Sequence, residues 1–359
     1  MASRWMIILA LAVTGCAPTP NPLSPGWNEI LPGGETSCSD GTPYRFWARP
    51  GNPDKLMIYL DGGGACWFRG NCDPDMKPTY TINLDGHHPE QSDGVFNFAR
   101  TDNPLGDYTA VYAPYCSADV HIGASDTTYP PERDDQVPLT VRHRGFANMQ
   151  AVLSWTYANV RNPATVFVAG SSAGSIPSPY YAMKVAERYT AARIVQLGDG
   201  SGGYRRVGDS TLPHESWGTL PVLKAAPAFA DLDDETFNYE ALYIRAAASA
   251  PQVQFAAYDA AEDGVQKQFL TLTGVNDVSL LSLVDQNQAD IRRANPGFRS
   301  YIAGGDSHTI LRRPELYTFR VDGVPFRDWL EDLVNGAPVT DAKCNPCAEA
   351  ELTEASPGS

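Results

Sequence analysis

Residues 166–189 read VFVAGSSAGSIPSPYYAMKVAERY. A run of apolar and β-branched residues stops at Gly170, and two serines follow among small residues. Gly170-Ser171-Ser172-Ala173-Gly174 has the spacing G-x-S-x-G with Ser172 at its centre. Thr165–Ala169 predicts a strand and Pro179–Tyr189 a helix, which is the context that motif requires. Small residues permit the sharp turn that lifts the central hydroxyl above the sheet, and the helix N-terminus is expected near developing negative charge. Pro177 and Pro179 fall around the first helical turn, where a missing N–H is tolerated. The pattern marks Ser172 as a nucleophile and leaves Ser171 as filler of the variable position.

Outward from this stretch, Leu56–Leu60, Thr109–Ala113, Ile194–Leu197, Val253–Tyr258 and Arg299–Ala303 are short apolar runs bounded by Gly, Pro, Asp or Asn. Each reads as a strand. Gly145–Asn159, Asn238–Ala248, Gly264–Leu272 and Leu283–Ala294 carry helical patterns. Strands apolar on both faces, alternating with helices, predict one α/β domain over 36–337, with a mostly parallel sheet flanked by helices on both faces. Asp73–Asn103 reads as a long surface loop, and 338–359 as a loosely packed tail.

The chain has 359 residues, 43% hydrophobic, with a formal net charge of −15. Such a surface repels phosphate backbones, and no basic patch interleaved with aromatics is present, which argues against a nucleic-acid partner. At the N-terminus Arg4 precedes an apolar stretch, Met6 to Val13, and the sequence Leu-Ala-Val-Thr-Gly-Cys. This is the order of a secretory signal over residues 1–15. Its end resembles a bacterial lipobox, with Cys16 as the lipid attachment site and 16–35 as a Pro-rich tether. Ala17 after the cysteine resembles an outer-membrane sorting pattern. The expectation is an exported monomer held to the bacterial outer membrane only through that lipid, or otherwise a periplasmic or secreted protein in which Cys16 is incidental.

Six cysteines remain: Cys38, Cys66, Cys72, Cys116, Cys344 and Cys347. An even number in an exported chain points to disulfides. Cys66 and Cys72 are near enough to close a small loop. Cys344 and Cys347 lack a second pair or a neighbouring histidine, so a local disulfide is expected there rather than a zinc site. No metal or other cofactor is expected.

A serine hydroxyl needs a base, and the base needs an orienting carboxylate. In strand–turn–helix hydrolases the chain order is Ser, acid, His. Only His214 and His308 follow Ser172. His308 lies in Gly-Gly-Asp-Ser-His, beyond the strand ending at Ala303, and is taken as the base. The acid is expected at the end of an intervening strand: Asp259 first and Asp199 second. Asp306 is read as shaping the histidine loop, and Asp231, Asp233 and Asp234 as a solvated charge run. The oxyanion needs backbone donors, one from Ala173 and others from a Gly-rich loop after an early strand. Gly62-Gly63-Gly64 supplies such a loop. Trp67, Tyr115, Tyr129 and Tyr204 lie near predicted loop ends and are candidates to stack on sugars or line an acyl pocket, with Asp199 as a further pocket candidate. His87, His88, His121 and His143 lack ligand spacing and read as surface or loop residues.

With these residues identified, the chain resembles the pectin acetylesterase family, which also contains the animal Notum carboxylesterases. YLDGGGACWFRGNC at 59–72 is similar to the family's oxyanion loop, and TSCSDGTPY and YAPYCSADVHIG to two further blocks. HRGFANMQAVLSWTYANV and VFVAGSSAGS are similar to its helix and elbow, and LGDGSGGY, FAAYDAAED and GGDSHTIL to later blocks in order. The resemblance implies an α/β-hydrolase-like fold, ester hydrolysis by Ser172, Asp259 and His308, and oxyanion donors Gly63, Gly64 and Ala173. It also implies disulfides Cys38–Cys116 and Cys66–Cys72, leaving Cys344–Cys347. Ser175 stands where relatives usually have another Gly, and Gly64-Ala65 where Notum proteins carry aromatics. The expected function is a serine carboxylesterase acting on short acyl esters, acetyl foremost, of a polysaccharide or glycan. Deacylation of longer chains, peptide hydrolysis and a non-catalytic binding lipoprotein on the same fold are the alternatives.

Overall fold

The computed structural model describes residues 23–352 except 209 and 211. The signal segment, Cys16 and the start of the tether therefore lie outside the described residues. Nine strands form one sheet: β1 (Asn28–Ile30), β2 (Phe46–Arg49), β3 (Asn52–Leu60), β4 (Tyr108–Ala113), β5 (Thr165–Ser171), β6 (Arg193–Asp199), β7 (Gln254–Ala260), β8 (Arg299–Ala303) and β9 (Ala342–Lys343). Their spatial order is β1-β2-β4-β3-β5-β6-β7-β8-β9. The pairings β1–β2 and β2–β4 are antiparallel, and the rest are parallel.

The parallel strands are buried on both faces because their side chains alternate between two cores. Leu56, Ile58 and Leu60 of β3 join Val166 and Val168 of β5 in one core. Met57 and Tyr59 join Phe167 and Ala169 in the other. Helices α1 (Gly145–Asn159), α2 (Ser178–Arg188) and α3 (Tyr239–Ser249) cover the first face. Helix α4 (Gly264–Leu272) follows β7, and α5 (Leu280–Ala294) leads to β8. The second face is closed by α6 (Phe326–Asn335), whose Phe326, Trp329, Leu330 and Leu333 are buried. No helix among the described residues is long and apolar enough to cross a membrane.

Two expectations change. The segment after Pro338 is not loose as far as Leu352: β9 extends the central sheet, and Glu351–Leu352 pairs with Phe319–Val321. A backbone carbonyl at Thr340 accepts from the Trp329 indole at 2.8 Å, which explains why the segment docks. Asp73–Asn103 is also more than surface, because Val95 and Phe96 enter the second core against Tyr59 and Tyr112. The disulfides are Cys38–Cys116, Cys66–Cys72 and Cys344–Cys347.

Candidate active site

Strand β5 ends at Ser171, and a single 3-10 turn over Ser172–Gly174 follows, with α2 starting only at Ser178. Ser172 has φ 53°, a left-handed conformation rare for a residue with a Cβ. It is fixed from both sides. The Ser201 hydroxyl donates to the Ser172 carbonyl at 2.7 Å, and Ser175 N–H donates to the same carbonyl at 2.9 Å. Gly62 packs so closely that a Cβ there would lie 2.8 Å from the Ser172 Cβ. Ser171 is more than filler: its hydroxyl donates to Asp199 at 2.5 Å and accepts from Tyr59 at 2.6 Å, tying the elbow to both neighbouring strands.

His308 lies on the loop beyond β8. Its Nδ1 is 2.7 Å from Asp263 Oδ2, with the histidine side chain 17% exposed and the aspartate fully buried. His308 Nε2 is buried and has no partner among the described residues. Ser172 and His308 line one polar cleft, although the serine hydroxyl is not hydrogen-bonded to the ring in this structure. The carboxylate beside the histidine is thus Asp263, not Asp259. The reason is reach. Strand β7 runs on through Ala260, so Asp259 is still within the sheet, and His308 sits five residues beyond the end of β8. Its partner must likewise lie out on the loop. Asp263 Oδ1 caps α4 by accepting from Val265 and Gln266 N–H groups at 2.9 and 3.0 Å. Its second oxygen is left to hold the imidazole.

Asp259 stands behind this pair. It accepts from Gly202 N–H at 2.7 Å and from the Gln266 side-chain amide at 3.2 Å, and the same amide donates to Asp263 Oδ2 at 3.0 Å. Burial pushes the Asp259 carboxyl up to about 7, against those two donors, which favour its charged form. Asp199, the other acid considered, accepts from the N–H groups of Ile310 and Leu311 and so pins the histidine loop to β6. Burial raises it to about 6.

The Gly-rich loop follows β3. Gly64 has φ 75°, and a Cβ there would collide with the Thr79 carbonyl, so only glycine fits. The amides of Gly63 and Gly64 find no protein acceptor among the described residues, while the Gly63 carbonyl accepts from Thr81 N–H at 2.8 Å. Ala173, the residue after Ser172, and Gly64 both line one apolar cavity. Asp61, just before the glycines, is ion-paired with Arg312 and accepts from the Tyr112 hydroxyl. That pair joins the Gly-rich loop to the histidine loop; Asp61 lies in the block YLDGGGACWFRGNC, but Arg312 falls just beyond GGDSHTIL, so the sequence does not show that the two meet.

Ser172 separates two spaces of opposite character. One is an apolar cavity of about 80 Å³ lined by Trp67, Ile176, Trp217, Phe237, Leu242 and Phe269. The other is the polar cleft of about 550 Å³, whose walls include Lys77, Thr81, His87, Gln268 and Arg312. Of the aromatic candidates, Trp67 and Tyr204 line the cavity. Tyr115, Tyr129 and Asp199 line neither space. Tyr115 is buried with its hydroxyl accepting from Val120 N–H at 2.9 Å, and Tyr129 faces His143. His121 and His143 are fully buried rather than surface residues, whereas His87 does border the cleft. Among the described residues no cluster of His, Cys, Asp or Glu has the grouping of a metal site.

The pectinacetylesterase family model matches residues 33–216, just over half of the chain, from the N-terminal region through the Gly-rich loop and the elbow. The chain belongs to this family. It is 27% identical over 142 residues to the palmitoleoyl-protein carboxylesterase notum1a of Danio rerio, covering 38% of this chain and 27% of that protein. Palmitoleoyl-protein carboxylesterase NOTUM of Homo sapiens is 25% identical over 172 residues, covering 45% of this chain and 33% of that protein. An inactive palmitoleoyl-protein carboxylesterase, notum1b of Danio rerio, is 25% identical over 104 residues, covering 28% of this chain and 75% of that protein. The match thus spans a third or less of the length of the first two. Because one relative is named inactive, likeness alone does not establish turnover, and the residues around Ser172 must carry that argument.

Proposed function

We propose that the protein is a serine carboxylesterase that removes short acyl groups from a polyhydroxylated acceptor such as a glycan. The observation that carries this reading is the His308 imidazole, held at Nδ1 by buried Asp263 and left without a partner at Nε2, on the cleft that Ser172 also lines. That is the division of labour a base needs. His308 Nε2 takes the proton from Ser172 Oγ as the oxygen attacks the ester carbonyl, and Asp263 holds the tautomer and stabilises the imidazolium. The N–H groups of Gly63, Gly64 and Ala173 receive the oxyanion. His308 then protonates the leaving alcohol, and in the second half-reaction it activates water to release the acid.

The two spaces beside Ser172 support the assignment of ends. The acyl chain enters the apolar cavity, and the alcohol lies in the polar cleft. A cavity of about 80 Å³ holds several water-sized volumes. An acetyl methyl does not fill it, and a chain of a few carbons does. Its largely apolar lining also suits a longer chain, so chain length is the variable to measure. Initial rates on p-nitrophenyl esters from acetate to decanoate are expected to peak between acetate and hexanoate and to vanish in Ser172→Ala. A peak at decanoate would replace the short-acyl reading with long-chain deacylation. Wild-type turnover in Ser172→Ala would remove the nucleophile assignment, and no turnover on any ester would leave a binding protein.

A further inference from the structure

Behind the Gly-rich loop runs the segment Cys116–His121, and its backbone is unusual. Ala118, Val120 and His121 all have positive φ, at 63°, 48° and 61°. Left-handed backbone is rare for any residue with a Cβ and an outlier for a β-branched valine, so three in four residues persist only where the surroundings over-determine them. The surroundings do so here. Asp119 accepts from the Ser117 hydroxyl at 2.6 Å, from His121 N–H at 3.1 Å and from Gly145 N–H at 2.7 Å. Val120 N–H donates to the Tyr115 hydroxyl, and the Tyr181 hydroxyl donates to the His121 carbonyl at 2.6 Å. Cys116 is tied to Cys38 by a disulfide.

What this conformation presents is a pair of contacts to the two ends of the Gly-rich loop. The Ala118 carbonyl accepts from Cys66 N–H at 3.1 Å, at the loop's exit. The His121 Nε2 lies 2.8 Å from the Asp61 carbonyl, at its entrance. A carbonyl only accepts, so Nε2 carries the proton and donates. The same peptide's N–H, on Gly62, donates to Asp61 Oδ1 at 2.8 Å. Both polar ends of the Asp61–Gly62 peptide are therefore held, and the peptide plane cannot rotate without breaking one of them. The next two amides are Gly63 and Gly64, which have no protein acceptor among the described residues. The Tyr115 ring packs against the His121 ring at 4.8 Å and beneath Gly63.

We infer that His121 is a positioning residue for the oxyanion hole: its Nε2–H fixes the Asp61–Gly62 peptide and so aims the N–H groups of Gly63 and Gly64 at the reacting carbonyl. The inference rests on the esterase reading above. His121 touches no substrate, for it lines neither the cavity nor the cleft. Burial pushes its pKa down to about 4, so the ring stays neutral and adds no charge of its own beneath the loop. A neutral donor fixed to a carbonyl is what preorganisation calls for: it leaves the developing charge to the amides.

The test uses three variants of the full-length protein beside wild type and Ser172→Ala on one p-nitrophenyl ester. His121→Phe keeps a ring and removes the donor. His121→Gln places an amide nitrogen near the Nε2 position, and His121→Asn falls short of it. The expected result is a fall in kcat of roughly 10- to 100-fold in Phe and Asn, with KM within about twofold, and substantial recovery in Gln. An alkylboronic acid, which becomes tetrahedral on the serine, should lose affinity in parallel with kcat. If Phe does not fold, the Gln and Asn pair carries the comparison. Equal kcat in all folded variants, a loss confined to KM, or failure of all three to fold would overturn the positioning role. Absence of serine-dependent turnover in wild type would instead overturn the esterase reading, so the two failures are distinguishable.

Discussion

Asp263 and Asp259 lie four residues apart and within reach of one glutamine amide, yet their environments assign them different work. Asp263 spends one oxygen on the N-terminus of α4 and the other on His308. Asp259 faces Gly202 and Gln266, with its Oδ2 unpartnered among the described residues. Asp263→Asn keeps the helix cap, since Asn caps about as well as Asp. It loses the charge and the acceptor that fix the imidazole tautomer. Its kcat on a p-nitrophenyl ester is expected to fall by about 10⁴-fold with the fold intact. Asp259→Asn retains an acceptor for Gly202 N–H and should lower kcat by less than about tenfold. The reverse ranking would return the acid's role to Asp259. Ser172 and His308 were legible because a motif and a chain order single them out. Asp263 was not, because an aspartate before Gly264–Leu272 reads as an ordinary helix cap, and its second duty appears only when the loops beyond β7 and β8 are brought together. Arg312 and Gln266 carry no local signal, and Asp61, though inside the Gly-rich block, gives no sign of its pairing with Arg312.

At the scale of elements, the buried parallel strands were readable in advance. Their apolar runs fill both faces, and Leu56–Leu60, Thr109–Ala113 and Thr165–Ala169 lie within β3, β4 and β5. The helices Gly145–Asn159 and Gly264–Leu272 match their predicted bounds. The half-exposed elements were not readable. β1 has three residues and no fully buried one, and in the hairpin of Ser125–Tyr129 with Leu139–His143 the first strand, SDTTY, is polar at its first four positions and has no apolar run to announce it. α6 differs: its apolar positions 326, 329, 330, 333 and 334 follow a helical repeat with Arg327, Asp328, Glu331 and Asp332 between them, a pattern that does mark an amphipathic helix. β9 has two residues, so nothing in its own sequence could announce it; its place is set by the neighbouring Cys344–Cys347 loop and by Asp341, which accepts from Ser300 N–H at 2.8 Å.

Over the whole molecule, buried titratable groups make stability depend on pH in a definite direction. Burial raises Asp119 and Asp259 to about 7 and Asp199 to about 6. Unfolded, such groups titrate near about 4, so between about pH 4 and 7 the folded protein binds more protons and these three make stability fall as pH rises. His121 and His143, pushed by burial down to about 4, act oppositely below about pH 6.5, where only the unfolded imidazoles take a proton. Above that the carboxylates act alone. Asp259→Asn removes one of them, so its melting temperature relative to wild type should rise from about pH 5 and level off above about pH 7. Parallel curves for the two proteins would contradict the buried, proton-holding state of Asp259. The central claim is narrower, that Ser172 is the nucleophile activated by His308. Its most direct measurement is covalent labelling with a fluorophosphonate, followed by mass mapping of the modified peptide in wild type and His308→Ala. The account predicts one adduct, on Ser172 and not on Ser171, formed far more slowly in the variant. Labelling at Ser171, or at equal rates in both proteins, would contradict it.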